Sequence, residues 1–411
     1  MALPATPTVQ IRFGTGASFG NALVLGSAAN GILGLNVLGT SAATPIDVTS
    51  QVTEVNIRRG RDRVFDTYEA GTAVIRLLDM TGDLNPQNAS GPYYGDILPL
   101  RQVRISTSYS GSDYFLFSGY ITSYDYEWQP GADIAYVTIV AEDGFRLLYL
   151  ADVDTLAGAA AGDLPGERID QVLTAVNWPS SVTDIDLGDI TLQDDPGGRR
   201  SALEVLQQVE ATELGALFMA ANGDVTFRSR SQVAGQASGT KTYFDDTNTN
   251  VQYQTIDVTL DDTDLANDVT VTRTGGTAQN AENAGSITQF FRRSLTRSNL
   301  LMETDAQALQ QSNMILNYRD DVQLLVRSIG LDLSSVSSRV AAALELEIGD
   351  PIQVIRTQPG GSNITANVTV QGISHQITPE TWFTELKTAL PLATAFILGS
   401  SEFGILGTST L

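Results

Sequence analysis

Side chains that could carry out chemistry are few, and their types rule most of it out. His375 is the only histidine of 411 residues and there is no cysteine. Thiolate zinc sites, a disulfide framework and Ser/His or Cys/His nucleophilic pairs therefore lack an essential group. His375 falls between Ser374 and Gln376 on a predicted strand and reads as a hydrogen-bonded structural side chain. Asp184, Asp186, Asp189, Asp194 and Asp195 offer the hard oxygen ligands that calcium takes. They do not form a D-x-D-x-D-G series closed by a glutamate, so a solvated acidic loop without metal is expected. Gly14-x-Gly16-x-x-x-Gly20 has the wrong spacing for a dinucleotide loop, and no G-x-x-x-x-G-K-[ST] occurs. Two carboxylates for glycoside hydrolysis can always be found among 47 acids, so their presence carries no information. No catalytic residue, cofactor or metal ligand is assigned.

Charge narrows the classes further. The 47 acidic and 24 basic residues give a net charge of −23, which opposes a surface made to grip phosphates or anionic lipid. Every basic residue except Lys241 and Lys387 is arginine, suited to paired contacts at interfaces. The cluster Arg58-Arg59-Gly60-Arg61-Asp62-Arg63 could meet a phosphate or a partner carboxylate, but a solvated loop is the expected reading. No run of eighteen apolar residues and no signal-peptide pattern occurs, which predicts assembly in the cytoplasm and no membrane insertion.

The elements that would position these groups are mostly strands. Residues 45–155 alternate with period two at Val52–Ile57, Thr72–Leu78, Gln102–Ser108, Tyr114–Ser123, Ala135–Ala141 and a last stretch Phe145–Leu150, the spacing of a barrel or sandwich. Trp128, after Tyr120, Tyr124 and Tyr126, reads as sheet-face packing. A Gly/Ala-rich linker then leads into a small α/β domain over 156–241. There Ile169, Val172, Leu173 and Val176 have helical spacing, Ser201-Ala-Leu-Glu204 is a capping box, and Asn222-Gly223 turns a hairpin between 216–219 and 225–228. Residues 242–390 read as a second β unit, with strands at Val251–Leu260, Asp268–Thr274, Ser286–Phe291, Leu324–Leu331, Pro351–Thr357, Ile364–Ile373 and Trp382–Thr388. A helix capped by Thr304 interrupts them as far as Tyr318.

The termini repeat each other. Leu25-Gly26-Ser-Ala-Ala-Asn-Gly-Ile32-Leu33-Gly matches Leu398-Gly399-Ser-Ser-Glu-Phe-Gly-Ile405-Leu406-Gly. Residues 1–44 and 391–411 are read as apolar arms, dispensable for folding, that add strands to a partner's sheet edge; the alternative is a pair of fraying tails.

The stretch Val64–Ser106 carries a strand, a turn D-x-x-x-x-x-N-P-x-N, S-x-P-Y-Y and a second strand P-x-x-x-x-R-I. With Phe115–Ile121, Val137–Val140 and Glu142–Leu148 it resembles the N-terminal domain of baseplate hub, or minor tail, proteins of long-tailed bacteriophages over roughly residues 45–150. The helix and hairpin over 201–228, and the strands near Gly349–Val354, Val370–His375 and Trp382–Leu386, resemble later parts of the same family. The resemblance implies a mainly β fold with an α+β insert: two tail-tube-like barrels joined by a small α/β domain. It also implies a non-enzymatic homotrimer at the distal end of the virion's tail, which adapts a sixfold tube to a threefold tip for DNA ejection and host attachment. Implied partners are further copies of the chain, distal tail or tail-tube ring proteins, and tail fibre or tip proteins, with phage DNA passing unbound. Asp257, Asp261, Asp262, Asp264 and Asp268 are then candidate channel-lining acids, whose charge repels the duplex. A distal tail ring or fibre-anchoring minor tail protein is the alternative role, and a tail-associated cell-wall hydrolase the second.

Overall fold

A computed structural model describes residues 3–13, 45–128, 131, 135–236, 239–247, 249–334 and 336–392. The first seven strands are β1 (Pro7–Arg12), β2 (Ile46–Asp47), β3 (Val52–Gly60), β4 (Thr72–Asp79), β5 (Gln102–Tyr109), β6 (Ser112–Trp128) and β7 (Ala135–Glu142). Strands β3, β4, β5 and β7 bury alternate residues, as the period-two pattern predicts: Ala73, Ile75 and Leu77 of β4 face inward while Val74 and Arg76 do not. After β7 the chain turns into α1 (Phe145–Leu150), where the sequence pattern predicts a strand. The Asp143 carboxylate accepts the Phe145 N–H at 3.0 Å and starts the turn, and Phe145 and Leu148 are buried at helical spacing.

The α/β part comprises β8 (Asp152–Val153), α2 (Pro165–Ala175), β9 (Thr183–Ile185), β10 (Arg200–Ser201), α3 (Ala202–Glu213), β11 (Ala216–Met219), β12 (Val225–Arg228) and α4 (Arg230–Gln236). Ser201 caps α3 by accepting the Glu204 N–H at 3.1 Å, and β11 and β12 pair antiparallel around Asn222-Gly223 as expected.

The remaining elements are β13 (Thr242–Asp245), β14 (Val251–Gln252), β15 (Thr255–Leu260), β16 (Asp268–Arg273), β17 (Gln279–Glu282), α5 (Ala284–Phe290), β18 (Ser294–Leu300), α6 (Asp305–Arg319), β19 (Leu324–Asp332), α7 (Ser337–Glu345), β20 (Pro351–Arg356), β21 (Ile364–Ile377) and β22 (Trp382–Ala389). The capped helix from Thr304 is present, its capping box completed by Gln307. Residues 286–291, expected as a strand, belong mostly to α5, because Asn283 accepts the Ser286 N–H at 3.1 Å and nucleates a helical turn. Strand β18 and helix α7 have no counterpart in the sequence reading.

The protein is mainly β, and its principal sheet is continuous across both β-rich stretches. Its strands run β2-β1-β5-β6-β7-β4-β3-β21, then β22-β19-β15 in one direction and β20-β13-β14 in the other. Among the described residues no pairing closes this sheet on itself. One core lies along it, with Ile75, Ile105, Phe117 and Ile139 from the first half and Ile329, Val354, Trp382 and Leu386 from the second. A second core joins α1, α2, α3, β11 and β12 to β16, β18 and α6. Residues 266–319 thus pack with the α/β part, although the sequence groups them with the second β unit. Residues 1–44 also divide differently: β1 pairs with β5 from Pro7 to Arg12 and buries Val9 and Ile11, with Phe13 buried beside them. The N-terminal arm as read from sequence therefore includes a structural strand, whose alternation was hidden in a nearly uncharged segment. The repeat residues Leu25, Gly26, Ile32, Leu33, Leu398, Gly399, Ile405 and Leu406 lie outside the described residues.

The long turn after β4 is organised by Asp79, which is buried. Its carboxylate accepts the N–H groups of Thr81, Gly82 and Asp83 at 2.8–3.2 Å through one oxygen and of Leu84 at 2.9 Å through the other. Tyr126 donates to the Leu84 carbonyl at 2.9 Å, and Tyr93 stacks on Phe13 with centroids 4.4 Å apart. Trp128 stacks on Tyr126, two residues before it on the same face of β6, at 5.5 Å, and stays 59% exposed. Asp79→Ala is expected to cost about 2–3 kcal/mol by stranding those N–H groups and to make residues 80–101 the first site of proteolysis. Urea unfolding and limited digestion read both effects.

Candidate functional site

The seam between the two halves of the sheet is built by the arginine cluster. Strand β3 pairs antiparallel with β21, from Val55 opposite Ile377 to Gly60 opposite Gly372. Gly60 has φ 96°, and a Cβ there would lie 2.2 Å from the Gln371 carbonyl oxygen, so only glycine allows the strands to approach. The Arg61 N–H then donates to that carbonyl at 2.9 Å.

The flanking arginines turn inward, and the solvated-loop expectation fails for two of the four. Arg59 is buried and its Nη1 donates to Glu347 Oε1 at 2.8 Å, while the other Glu347 oxygen accepts the Ala221 N–H at 3.1 Å. One ion pair thereby ties both sheet halves to the α/β part. Arg61, also buried, donates Nε to Gln371 Oε1 and Nη1 to the Asp66 carbonyl, both at 2.9 Å. Its guanidinium lies 4.3 Å from the Tyr68 ring centroid and 3.9 Å from Glu210. Arg58 pairs with Asp62 at 3.1 Å in solvent, and Arg63 reaches Asp264 at 3.9 Å. A chain reversal at Phe65, φ 72°, places that ring under Arg319 at 5.1 Å and against Tyr318 at 5.2 Å. Sequence reading missed Glu347, Gln371 and Glu210, which lie 150 to 310 positions from the cluster and carry no local signal. Gly60 inside an arginine run was the only clue.

Burial disturbs the acids of this seam. Asp143 accepts Gly71 N–H at 2.6 Å, yet burial pushes it up to about 7 against the pull of two backbone N–H groups and Arg59. Burial also pushes Glu210 up to about 7 despite Arg61, and Glu213 to about 7 despite Arg230. His375 is buried and held neutral, its pKa lowered to about 3 by burial and then by Arg59. Its Nδ1 shares a 2.8 Å hydrogen bond with Thr384 Oγ1, and Trp382 Nε1 approaches at 3.4 Å, the structural environment expected of it.

Other sequence candidates sit apart from the seam or at its rim. Asp184 and Asp186 pair with Arg228, Asp189 accepts from Ser231, Asp194 from the Ala161 N–H and Asp195 from Arg200. These acids hold loops together and are not merely solvated, and no group of three or more potential metal ligands occurs among the described residues. Of the proposed channel acids, Asp257 is exposed on β15. Asp261 and Asp264 meet Arg327 at 3.5 and 2.7 Å, Asp262 meets Arg293, and Asp268 meets Arg292 at 2.9 Å. Hydrogen bonds from Asn280, Ser294 and Arg292 lower Asp268 to about 2.

No protein-family model matches the sequence, and no curated protein matches it. The fold does have relatives. It is similar to a tail protein from Neisseria meningitidis MC58, with TM-score 0.58 and 10% identity over 94% of this chain and 96% of that one. It is also similar to the 43 kDa tail protein of prophage MuSo2 from Shewanella oneidensis, with TM-score 0.57 and 12% identity over 85% and 96%. The likeness is one of fold, and it agrees with the phage-tail resemblance read from roughly residues 45–150 and the later segments.

Because Asp143, Glu210 and Glu213 titrate higher folded than unfolded, the folded state holds protons the unfolded state has released. Their contribution is fully favourable below about pH 4 and is lost as pH rises through about 7. Thermal stability is expected to fall between about pH 4 and 7, and Glu210→Gln to flatten the slope by up to about 1.4 kcal/mol per pH unit, read by denaturation across that range. Gly60→Val is expected to destabilise by about 3 kcal/mol or to prevent folding, whereas Arg58→Ala changes stability by less than about 0.5 kcal/mol; urea midpoints measure both.

Proposed function

We propose that the chain is a structural tail-tip protein of the baseplate-hub kind, with no enzymatic role. One observation supports this reading: the fold, whose two β-rich halves join in one sheet through β3 and β21, is similar over 94% and 85% of the chain to a tail protein and to a prophage tail protein. In the proposed assembly each half serves as a tube-like barrel, and three copies set six such units around an axis. A closed ring of this kind matches a sixfold tube on one side and a threefold tip on the other, and leaves a passage for DNA. The terminal arms dock on ring, fibre or tip proteins at the distal end of the virion. Four of the five candidate channel acids have arginine partners, so repulsion of the duplex rests on Asp257 and on the chain's overall surplus of carboxylates. The hydrolase alternative finds no support at the single histidine, which is buried against Thr384 and Trp382. A distal ring subunit differs in symmetry.

Sedimentation of the purified protein at tail-like concentration is expected to give a trimer, and class averages of the particle tip a threefold ring. A sixfold ring assigns the chain to the distal tail ring instead, and lysis of purified peptidoglycan assigns it to the hydrolases. Removing residues 393–411 is expected to leave the melting temperature within about 1 °C and to abolish incorporation into tails, scored by antibody labelling of particles.

A further inference from the structure

The outward face of the adjacent strands β1, β5 and β6 carries a polar grid that none of the preceding roles uses. Register places Gln10, Arg104 and Ser118 side by side on β1, β5 and β6, and Arg12, Gln102 and Tyr120 in the next row. The opposite face of the same strands buries Val9, Ile11, Val103, Ile105 and Phe117. The α/β part rises over the grid through Trp178 and the Asn222-Gly223 turn, enclosing a groove of about 200 Å³.

We propose that this grid is an oxyanion-binding site that takes one carboxylate or phosphate group between Arg104, Arg12 and the Ser118 hydroxyl. Among the described residues lining the groove there are two arginines and no acid, in a chain whose carboxylates outnumber its basic groups by 47 to 24. Asp224 is the acid nearest in influence on Arg104, and its carboxylate already accepts from Asn222 Nδ2 at 2.6 Å. The Arg104 guanidinium lies over the Phe115 ring, 4.9 Å from its centroid. A ring contact supplies no hydrogen-bond acceptor in the guanidinium plane, where the N–H fork suits a planar or tetrahedral oxyanion. Arg12 donates Nη1 to Gln102 Oε1 at 3.1 Å, and Gln102 Nε2 reaches the Tyr120 hydroxyl at 3.5 Å, so a relay of neutral groups orients the second cation. The Ser118 Oγ is buried with no hydrogen-bond partner, a donor that an oxyanion would satisfy. Burial and the neighbouring Arg12 both disfavour the Arg104 charge, a cost that a bound anion removes.

The oxyanion has two possible sources, a free ion or an acidic side chain of another copy of this acid-rich chain. Inorganic phosphate is the probe, titrated into the full-length protein at constant ionic strength against chloride, with melting temperature and calorimetric heat as readouts. Saturable stabilisation is expected, with Arg104→Gln binding at least about tenfold more weakly and Ser118→Ala weakened to a smaller degree, while both variants keep the parent circular dichroism. Sedimentation separates the sources: phosphate that disperses the oligomer has displaced a side chain, and phosphate that binds without dispersing it marks a free-ion site. No saturable response, or an equal response in Arg104→Gln, overturns the proposal.

Discussion

The structure depends on the approach of β3 to β21. Strand β21 is long enough to hold β20 along Ile364–Thr369 and β3 along Gly372–Ile377 on one edge, and β22 on the other. It is the only described strand on which three others converge, and without β21 the first seven strands would end in an unpaired edge at β3. Such an edge exposes unpaired N–H and C=O groups and invites aggregation. Gly60 and Gly372 meet where the strands are closest, since no side chain fits between Gly60 and the Gln371 carbonyl.

Closing that seam has an electrostatic consequence. Arg59 and Arg61 follow the backbone of β3 into the interior, where an unpaired charge is costly, and Glu347, Gln371, Glu210 and the Asp66 carbonyl must converge on them. These partners come from both sheet halves and from α3, so the requirement to satisfy two arginines also orients the α/β part. A buried ion pair of this kind adds little net stability, but breaking one partner is expensive, which favours a single arrangement of the three parts.

Most acids of the folded protein are not free counter-charges. Those of the 184–195 loop, and Asp246, Asp261, Asp262, Asp264, Asp268 and Asp305, are drawn into arginine pairs or onto backbone N–H groups. The absence of lysine from nearly all these pairs fits the bidentate geometry and small reorganisation of the guanidinium. The net charge therefore reflects acids left over after the structural pairs are made, and the groove on β1, β5 and β6, with no acid among its described lining residues, stands out against it.

Local pattern was sufficient for strands β3 to β7, for the Ser201 and Thr304 caps, for the hairpin at Asn222-Gly223 and for the turn after Asp79, because each is determined by alternation or by a side chain bonding to backbone a few residues away. It was also sufficient to exclude thiolate and histidine chemistry, which depends on residue counts. Residues 145–150 and 286–291 were misread because short runs of this kind satisfy both periods, and only the side-chain bonds of Asp143 and of the cap Asn283 to nearby backbone N–H groups select helix. The partition into two cores, the strand role of residues 7–12 and the burial of Arg59 and Arg61 were decided by tertiary structure. Each arises from contacts between residues far apart in the chain, which composition and spacing do not encode: an arginine looks solvated in sequence until a glycine lets its strand meet a partner that carries the matching carboxylate.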